Sequence, residues 1–320
     1  MDRTKNQFIK ATPLKGTINK LIILLVLIGL VIVFSISSPN FLTGTNIANI
    51  FKQISVNGII AIGMTFVILT GGIDLSVGPL VAIAGVIMAS IAKLDNPAWG
   101  WGLLAGVAVA LLLGVVNGIL IAYFKVVPFI QTLAMMSIAR GLTLMYSNGK
   151  PISDLHHDFT EIGKNEFMSV PTIVWIFIII LVIAMIYLYR TRQGRHIYAL
   201  GGNEQATYIS GVNTRLVKSS VYAISGLLCG IAAVVLTARV ASGIPRAGEG
   251  YELDAISAVV IGGASMSGGK GTLSGTLLGV LIIGVLNNGM DLLSVSSYLQ
   301  SVIKGIIIIV AVLMDKQSEQ

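Results

Sequence analysis

Apolar runs on the order of 20 residues, the length needed to cross a bilayer core of roughly 30 Å, recur along almost the whole of this 320-residue chain. Lipid gives the backbone no hydrogen-bond partner, so each such run must satisfy its own N–H and C=O groups as a helix. Charged residues supply only 11% of the sequence and apolar residues 55%, whereas an ordinary soluble domain carries about a quarter charged. The expected fold is all-α, a polytopic transmembrane bundle of about ten helices. The 36 glycines fit it, because small residues let membrane helices approach closely where burial from water no longer drives association.

A basic tail, residues 1–20, holds Arg3, Lys5, Lys10, Lys15 and Lys20, and a single transmembrane domain is expected over 21–320. The first apolar run covers 21–35. No A-x-A pattern follows it and further runs come at once, so it reads as an uncleaved first helix. The remaining spans are expected at 46–69, 77–92, 101–124, 126–146, 171–189, 216–238, 254–264, 272–289 and 298–314. Residues 254–264 are too few to cross alone, so this span either starts earlier or enters the membrane partly as a broken helix, tolerated only where protein or a cavity covers it.

The net charge of +7 is scattered over the ends of the apolar runs, which argues for membrane orientation and against a nucleic-acid surface. With the amino terminus inside, the inward segments carry the tail cations, Lys125, Arg190, Arg192, Arg195, Arg215, Lys218, Lys270 and Lys316. The outward ones carry only Lys93, Lys150, Lys164, Arg239 and Arg246. Both termini are therefore expected in the cytoplasm of a multi-pass inner-membrane protein. The lone cysteine, Cys229, can form no intramolecular disulfide.

Two hydrophilic stretches do more than turn the chain. Residues 148–170 face outward; residues 190–215 face inward and carry a short helix from Glu204 to Ser210, with Asn203 as N-cap and Gly211 at the C′ position. The pattern G-G-x-x-x-S-x-G occurs at Gly71–Gly78 and at Gly262–Gly269, a candidate internal repeat of the kind found in transporters. Chance likeness between Gly- and Ser-rich loops explains it equally well.

Enzymatic signatures are missing from the sequence. G-G-K-G-T at Gly268–Thr272 fails the P-loop pattern, since Ala264 stands where its first glycine is required and Gly271 follows Lys270. His156 and His157 are adjacent and cannot point the same way along a regular element, so no metal site is expected. The chain is not expected to be an enzyme or to bind a cofactor of its own.

Ionisable groups within a membrane are functional suspects. Asp74 and Asp254 stand at the starts of spans, where a capping role competes with a gating one, and Arg140 and Lys304 lie deeper. The candidates for a path or gate that the residues themselves suggest are Asp74 and the uncharged hydrogen-bonding groups of Asn57, Asn117, Gln131, Asn288 and Gln300. Helix-to-helix bonding is the alternative for each amide.

Four segments carry a resemblance: L-T-G-G-I-D-L-S-V-G (69–78), G-R-H-I-Y-A-L-G-G-N-E-Q-A-T-Y-I-S-G-V (194–212), A-G-E-G-Y-E-L-D-A-I-S-A-V-V-I-G-G (247–263) and N-N-G-M-D-L-L-S-V-S-S-Y (287–298). With them the chain resembles the permease subunit of bacterial ABC importers for ribose and related simple sugars, within the ribose and branched-chain amino acid permease superfamily. The resemblance implies alternating access in a homodimer, with a cytoplasmic ATPase that hydrolyses ATP with Mg and an extracytoplasmic sugar-binding protein. It implies that Gly201, Gly202, Asn203, Glu204 and Gly211 form the ATPase-coupling surface and that Gly71–Gly78, with Gly71, Gly72 and Ser76 as path or gate candidates, lies near the path. Ser265-Met266-Ser267 departs from the family pattern, which leaves the cargo open to another pentose, a hexose or a nucleoside. An ion-coupled secondary transporter, relaying through Asp74, Arg140 and Lys304, is the rival mechanism.

Overall fold

The computed structural model describes residues 13–93 and 97–318, with side chains from residue 21 to 310 (94–96 excepted) and for 312 and 313. Arg3, Lys5 and Lys10 lie outside the described residues, and the side chains of Lys15, Lys20 and Lys316 outside the described side chains. The described chain forms thirteen helices and one two-stranded hairpin: α1 (Pro13–Ser37), α2 (Gly44–Leu69), α3 (Val77–Ile91), α4 (Gly100–Ala122), α5 (Pro128–Ser147), α6 (His157–Lys164), β1 (Glu166–Phe167), β2 (Val170–Pro171), α7 (Thr172–Arg190), α8 (Arg192–Gly202), α9 (Glu204–Ile209), α10 (Thr214–Val240), α11 (Tyr251–Ile261), α12 (Leu273–Leu292) and α13 (Ser297–Ser318). Each expected span has its helix, displaced by a few residues at the ends in most cases. The first departs most, beginning at Pro13 within the stretch assigned to the tail. Five helices, α2, α4, α7, α10 and α12, are long and apolar enough to cross a membrane.

The core is built around α2 and α10, both largely buried. Helix α10 packs along α4 on a seam of small residues. A Cβ placed on Gly226 would stand 2.5 Å from Ala110 O and 2.9 Å from Gly114 Cα, and one on Gly118 would strike Ser219. These glycines act as the composition implied, by bringing two backbones together.

Helices α3 and α11 are short, with 15 and 11 residues, or about 22 and 16 Å at 1.5 Å per residue. Non-helical chain continues from the start of each. Residues 70–76 lead from the end of α2 to α3. Residues 241–250 descend along α3 from its last turns, where Gly243 lies against Gly85 and Ala89, to its first turn, where Gly248 lies against Gly78. Helix α11 starts beside that point and continues to the end of the bundle that holds α8. Both readings of residues 254–264 have a counterpart: the helix starts earlier, at Tyr251, and it stops at Ile261 with non-helical chain on either side. Non-helical backbone at such depth survives because protein covers it; Asp74, Gly78 and Gly248 are buried.

The end of the bundle opposite α8 is closed by residues 148–171. Ile152 and Gly243 exchange backbone hydrogen bonds (3.0 and 2.9 Å), and His156 N donates to Ala92 O (2.9 Å). A small apolar cluster of Ala89, Ala92, Leu155, Phe159 and Ala238 lies beneath.

Candidate functional site

At the α8 end three glycine-containing segments meet. The carbonyl of Leu69, at the end of α2, accepts a hydrogen bond from Gly269 N (2.9 Å), and Gly201 packs so closely on that carbonyl that a Cβ has no room. Gly268 lies against Gly71 N and Gly201, and Gly269 against Gly202. Both copies of the G-G-x-x-x-S-x-G pattern therefore touch each other and the last turn of α8. Tyr198, one turn earlier, donates to Gly271 O (2.8 Å); burial raises its pKa further above the ordinary tyrosine value, so it remains a donor. Tyr189 OH accepts from Leu273 N (2.9 Å).

The two patterned loops share turn chemistry. In the first, Gly71 N bonds Ile68 O and Gly72 N bonds Val67 O; in the second, Gly263 N bonds Val260 O and Ala264 N bonds Val259 O. Each is a helix stop on a left-handed glycine, Gly71 (φ 75°) and Gly263 (φ 85°). The stops sit one residue out of register in the pattern. A side-chain turn follows in both, Asp74 Oδ1 accepting from Ser76 N (3.0 Å) and Ser265 Oγ from Ser267 N (3.3 Å). From there the loops diverge, since α3 begins at Val77 and α12 only at Leu273.

Helix α9 is capped as its residues require. Asn203 Oδ1 accepts from Ala206 N (2.8 Å), and Gly211 (φ 84°) ends the turn with its N–H on Tyr208 O. Glu204 pairs with Lys218 (2.7 Å), an exposed contact worth little by itself. Tyr208 and Ile209 stand 68% and 76% exposed on this short helix, an apolar tip left open to solvent. Gly201 and Gly202 belong to α8, a helix that the sequence does not announce; Gly201 faces inward onto the junction, Gly202 touches Gly269 through its backbone alone and is otherwise exposed, and α9 faces out.

Asp74, Ser76, Asn117 and Gln131 are brought together in one buried chain of hydrogen bonds. Gln131 Nε2 donates to Asn117 Oδ1 (3.1 Å), Asn117 Nδ2 to Ser76 Oγ (2.9 Å), and Ser76 Oγ to Asp74 Oδ1. Ser225 Oγ on α10 donates to Asp74 Oδ2 (2.8 Å). This chain crosses from α5 through α4 and the 70–76 loop to α10. The carboxylate of Asp74 serves its own loop and α10, and the side chain of Ser76, the residue before α3, makes no capping bond. Ser225 is not evident from sequence, because an apolar helix with a serine every few residues gives no sign of which one faces a carboxylate.

A second set of bonds holds α11, α12 and α13. Asp254, expected chiefly as a cap, is instead paired with Lys304 Nζ (2.8 Å to Oδ1, 3.1 Å to Oδ2) and accepts from Asn287 Nδ2 (3.1 Å). Its place in the first turn of α11 leaves the side chain turned toward α13 rather than back on the backbone. Asn288 exchanges two 2.9 Å bonds with Asn46 of α2, and Gln300 donates to Asp291 Oδ1 (2.9 Å) and Val295 O (3.0 Å). Asn57 is buried on α2 and joins neither set. Arg140 donates to Pro245 O (2.7 Å) and Ala247 O (3.1 Å), fastening the descending segment to α5. His156 stacks on Trp99 (5.7 Å) and accepts from Asp158 N (3.3 Å), and no group of metal-ligating side chains occurs among the described residues.

These arrangements hold helices and segments together and carry no nucleophile–base pair. What they offer is mechanical: α8 grips two loops, and one of those loops starts the hydrogen-bond chain through Asp74.

Comparison with known proteins accords with that character. Residues 46–312 match the family model described as branched-chain amino acid transport system / permease component. The ribose import permease protein RbsC of Escherichia coli strain K12 is 49% identical over 310 residues, 93% of each chain. That of Bacillus subtilis strain 168 is 48% identical over 314 residues, 94% of each. The L-arabinose transport system permease protein AraH of Escherichia coli strain K12 is 38% identical over 291 residues, 91% of this chain and 88% of the other. No solved structure matches the chain. With apolar spans and a family match over most of its length, this is a multi-pass inner-membrane protein and a transport component rather than an enzyme, and it belongs to the branched-chain amino acid transport system permease component family.

Proposed function

We propose that the chain is the permease of an ABC importer that moves ribose across the inner membrane by alternating access. The observation that carries this reading is 49% identity over 93% of the chain to a ribose import permease, with 48% to a second from another bacterium. Identity to the L-arabinose permease is lower, at 38%. That ranks ribose above another pentose as cargo.

On this reading both termini face the cytoplasm, and residues 190–215 are the coupling region. A cytoplasmic ATPase subunit hydrolyses ATP with Mg, an extracytoplasmic sugar-binding protein delivers the cargo, and a second copy of the chain completes the passage. Helix α9 meets the ATPase, and Gly201 and Gly202 pass its movement to the loops at 70–76 and 262–272. The support for that division of labour is packing: α9 is exposed, whereas Gly201 lies on Leu69 and Gly269. Such a two-state transmission needs an element whose arrangement both partners bias.

The test is uptake by proteoliposomes holding the chain, its ATPase and the sugar-binding protein. Radiolabelled ribose should accumulate only with ATP, and arabinose and hexoses should compete poorly. Uptake driven by a proton or sodium gradient without the ATPase would overturn the reading in favour of an ion-coupled carrier. ATP-driven uptake that prefers another sugar would correct the cargo alone.

A further inference from the structure

The hairpin β1–β2 stands directly before α7 and has no part in the networks above. We propose that its tip, Phe167 and Met168, is an anchor in the lipid headgroup region at the end of the bundle opposite α8.

Length places it there. Helix α7 has 19 residues from Thr172 to Arg190, about 28 Å at 1.5 Å per residue against a hydrocarbon core of roughly 30 Å. With Arg190 at one boundary, the first turn of α7 lies at the other, and the hairpin cannot stand clear of the interface. The joint is stiff: Glu166 pairs with Pro171 and Phe167 with Val170, and Thr172 donates to Asn165 O through both N (2.9 Å) and Oγ1 (2.9 Å).

The face agrees with the depth. Ile179, Val182, Ile183 and Ile186 are exposed apolar residues at helical spacing, the lipid-facing stripe of α7. Trp175 lies one turn before Ile179, and tryptophan favours the membrane interface. Phe167 continues the stripe, its ring edge-on to Trp175 (centroids 6.1 Å apart, 72°), and Trp175 Nε1 donates to Phe167 O (3.1 Å). Phe167 and Met168 are 63% and 76% exposed within the chain, while Lys164, Asn165 and Glu166 give the base a polar rim.

The turn supplies an independent observation. Met168 (φ 55°) and Ser169 (φ 61°) both lie in the left-handed region, the two-residue hairpin geometry that favours Asn-Gly. Methionine at its first position helps neither the turn nor solubility in water. Immersion in lipid accounts for both its chemistry and its exposure.

The test uses the full chain in nanodiscs with a nitroxide at Met168→Cys and a control at His157→Cys, which stands at the same end and is 72% exposed; Cys229 is buried. Collisions with oxygen relative to a water-soluble nickel chelate should be severalfold higher at 168 than at 157. Equal ratios would put the tip in water, and a label shielded from both reagents would put it against a second copy or another protein; either overturns the proposal. Met168→Gly should hold or raise the melting temperature in detergent, because it relieves the turn. A lower melting temperature would mean that Met168 is kept for packing, which also overturns it.

Discussion

Gly201 rests on the carbonyl of Leu69, the same oxygen that accepts the N–H of Gly269, so the last turn of α8 touches the ends of both patterned loops at a single peptide group. Any side chain at position 201 must push these backbones apart. Gly201→Val should therefore insert and assemble but lower ATP-driven uptake by about 5- to 150-fold, the span matched to coupling free energies of about 1–3 kcal/mol, while ATP hydrolysis by the assembled complex continues. The backbone of Gly202 also lies against Gly269, but a Cβ on Gly202 would meet nothing within 4 Å, and Gly202→Ala should retain most of its uptake. The comparison of hydrolysis with uptake in the two variants checks this, and equal losses at both positions would count against the junction.

Spans were legible in the sequence because a long apolar run in lipid has one solution, a helix, and its length is set by the bilayer. The α9 cap was legible for a similar reason, as Asn203 and Gly211 act on neighbours within four residues. Helix α8 was not, since Gly194, Gly201 and Gly202 lower its propensity and its stability comes from packing on Leu188, Leu69 and Gly269. Nor was the use of Asp74 or Asp254: their partners Ser225 and Lys304 lie 151 and 50 residues away, and only the fold selects them. The descending segment 241–250 reads as a surface loop because it is rich in glycine and charge, and it is held at depth by Arg140 and by α3.

Asp74 receives three donors inside the bundle, from Ser76 N, Ser76 Oγ and Ser225 Oγ. Asp74→Ala would leave them without their acceptor, at a cost of about 1–3 kcal/mol for each buried group left unsatisfied. Its melting temperature in detergent should fall clearly, whereas Ser225→Ala, which removes the donor to Oδ2 and leaves the two from Ser76 on Oδ1, should cost less, about 1–3 kcal/mol for the one group left unsatisfied. A stable Asp74→Ala protein with altered uptake would show that the carboxylate serves the path more than the fold.

The seam between α4 and α10 predicts a dependence on size alone. Gly226→Ala should already destabilise, because its Cβ would meet Ala110 O at 2.5 Å, and Gly226→Val should cost more, with overpacking typically worth about 1–3 kcal/mol. Gly141, where an added Cβ would meet nothing within 4 Å, is the control, and Gly141→Ala should leave the melting temperature unchanged or slightly raised, as expected for an open helical position. Thermal unfolding of the three variants followed by fluorescence-detected size exclusion measures the order.

Lys304 is the only cation paired with Asp254 among the described residues, and the two join α13 to α11 at a point where Asp254 is 3% exposed. A buried pair is sensitive to the loss of one member, because the other is left charged and uncompensated, at about 3–5 kcal/mol. Replacing both by uncharged groups removes that penalty. Lys304→Met should therefore lower stability strongly, Asp254→Asn should do so as well, and the double variant should recover much of the loss, since Asn at 254 can still meet Asn287. The double-mutant cycle, read as melting temperatures in one detergent, decides between a pair that only fastens α13 and one that also moves during transport. In the first case the double variant regains uptake along with stability; in the second it regains stability alone.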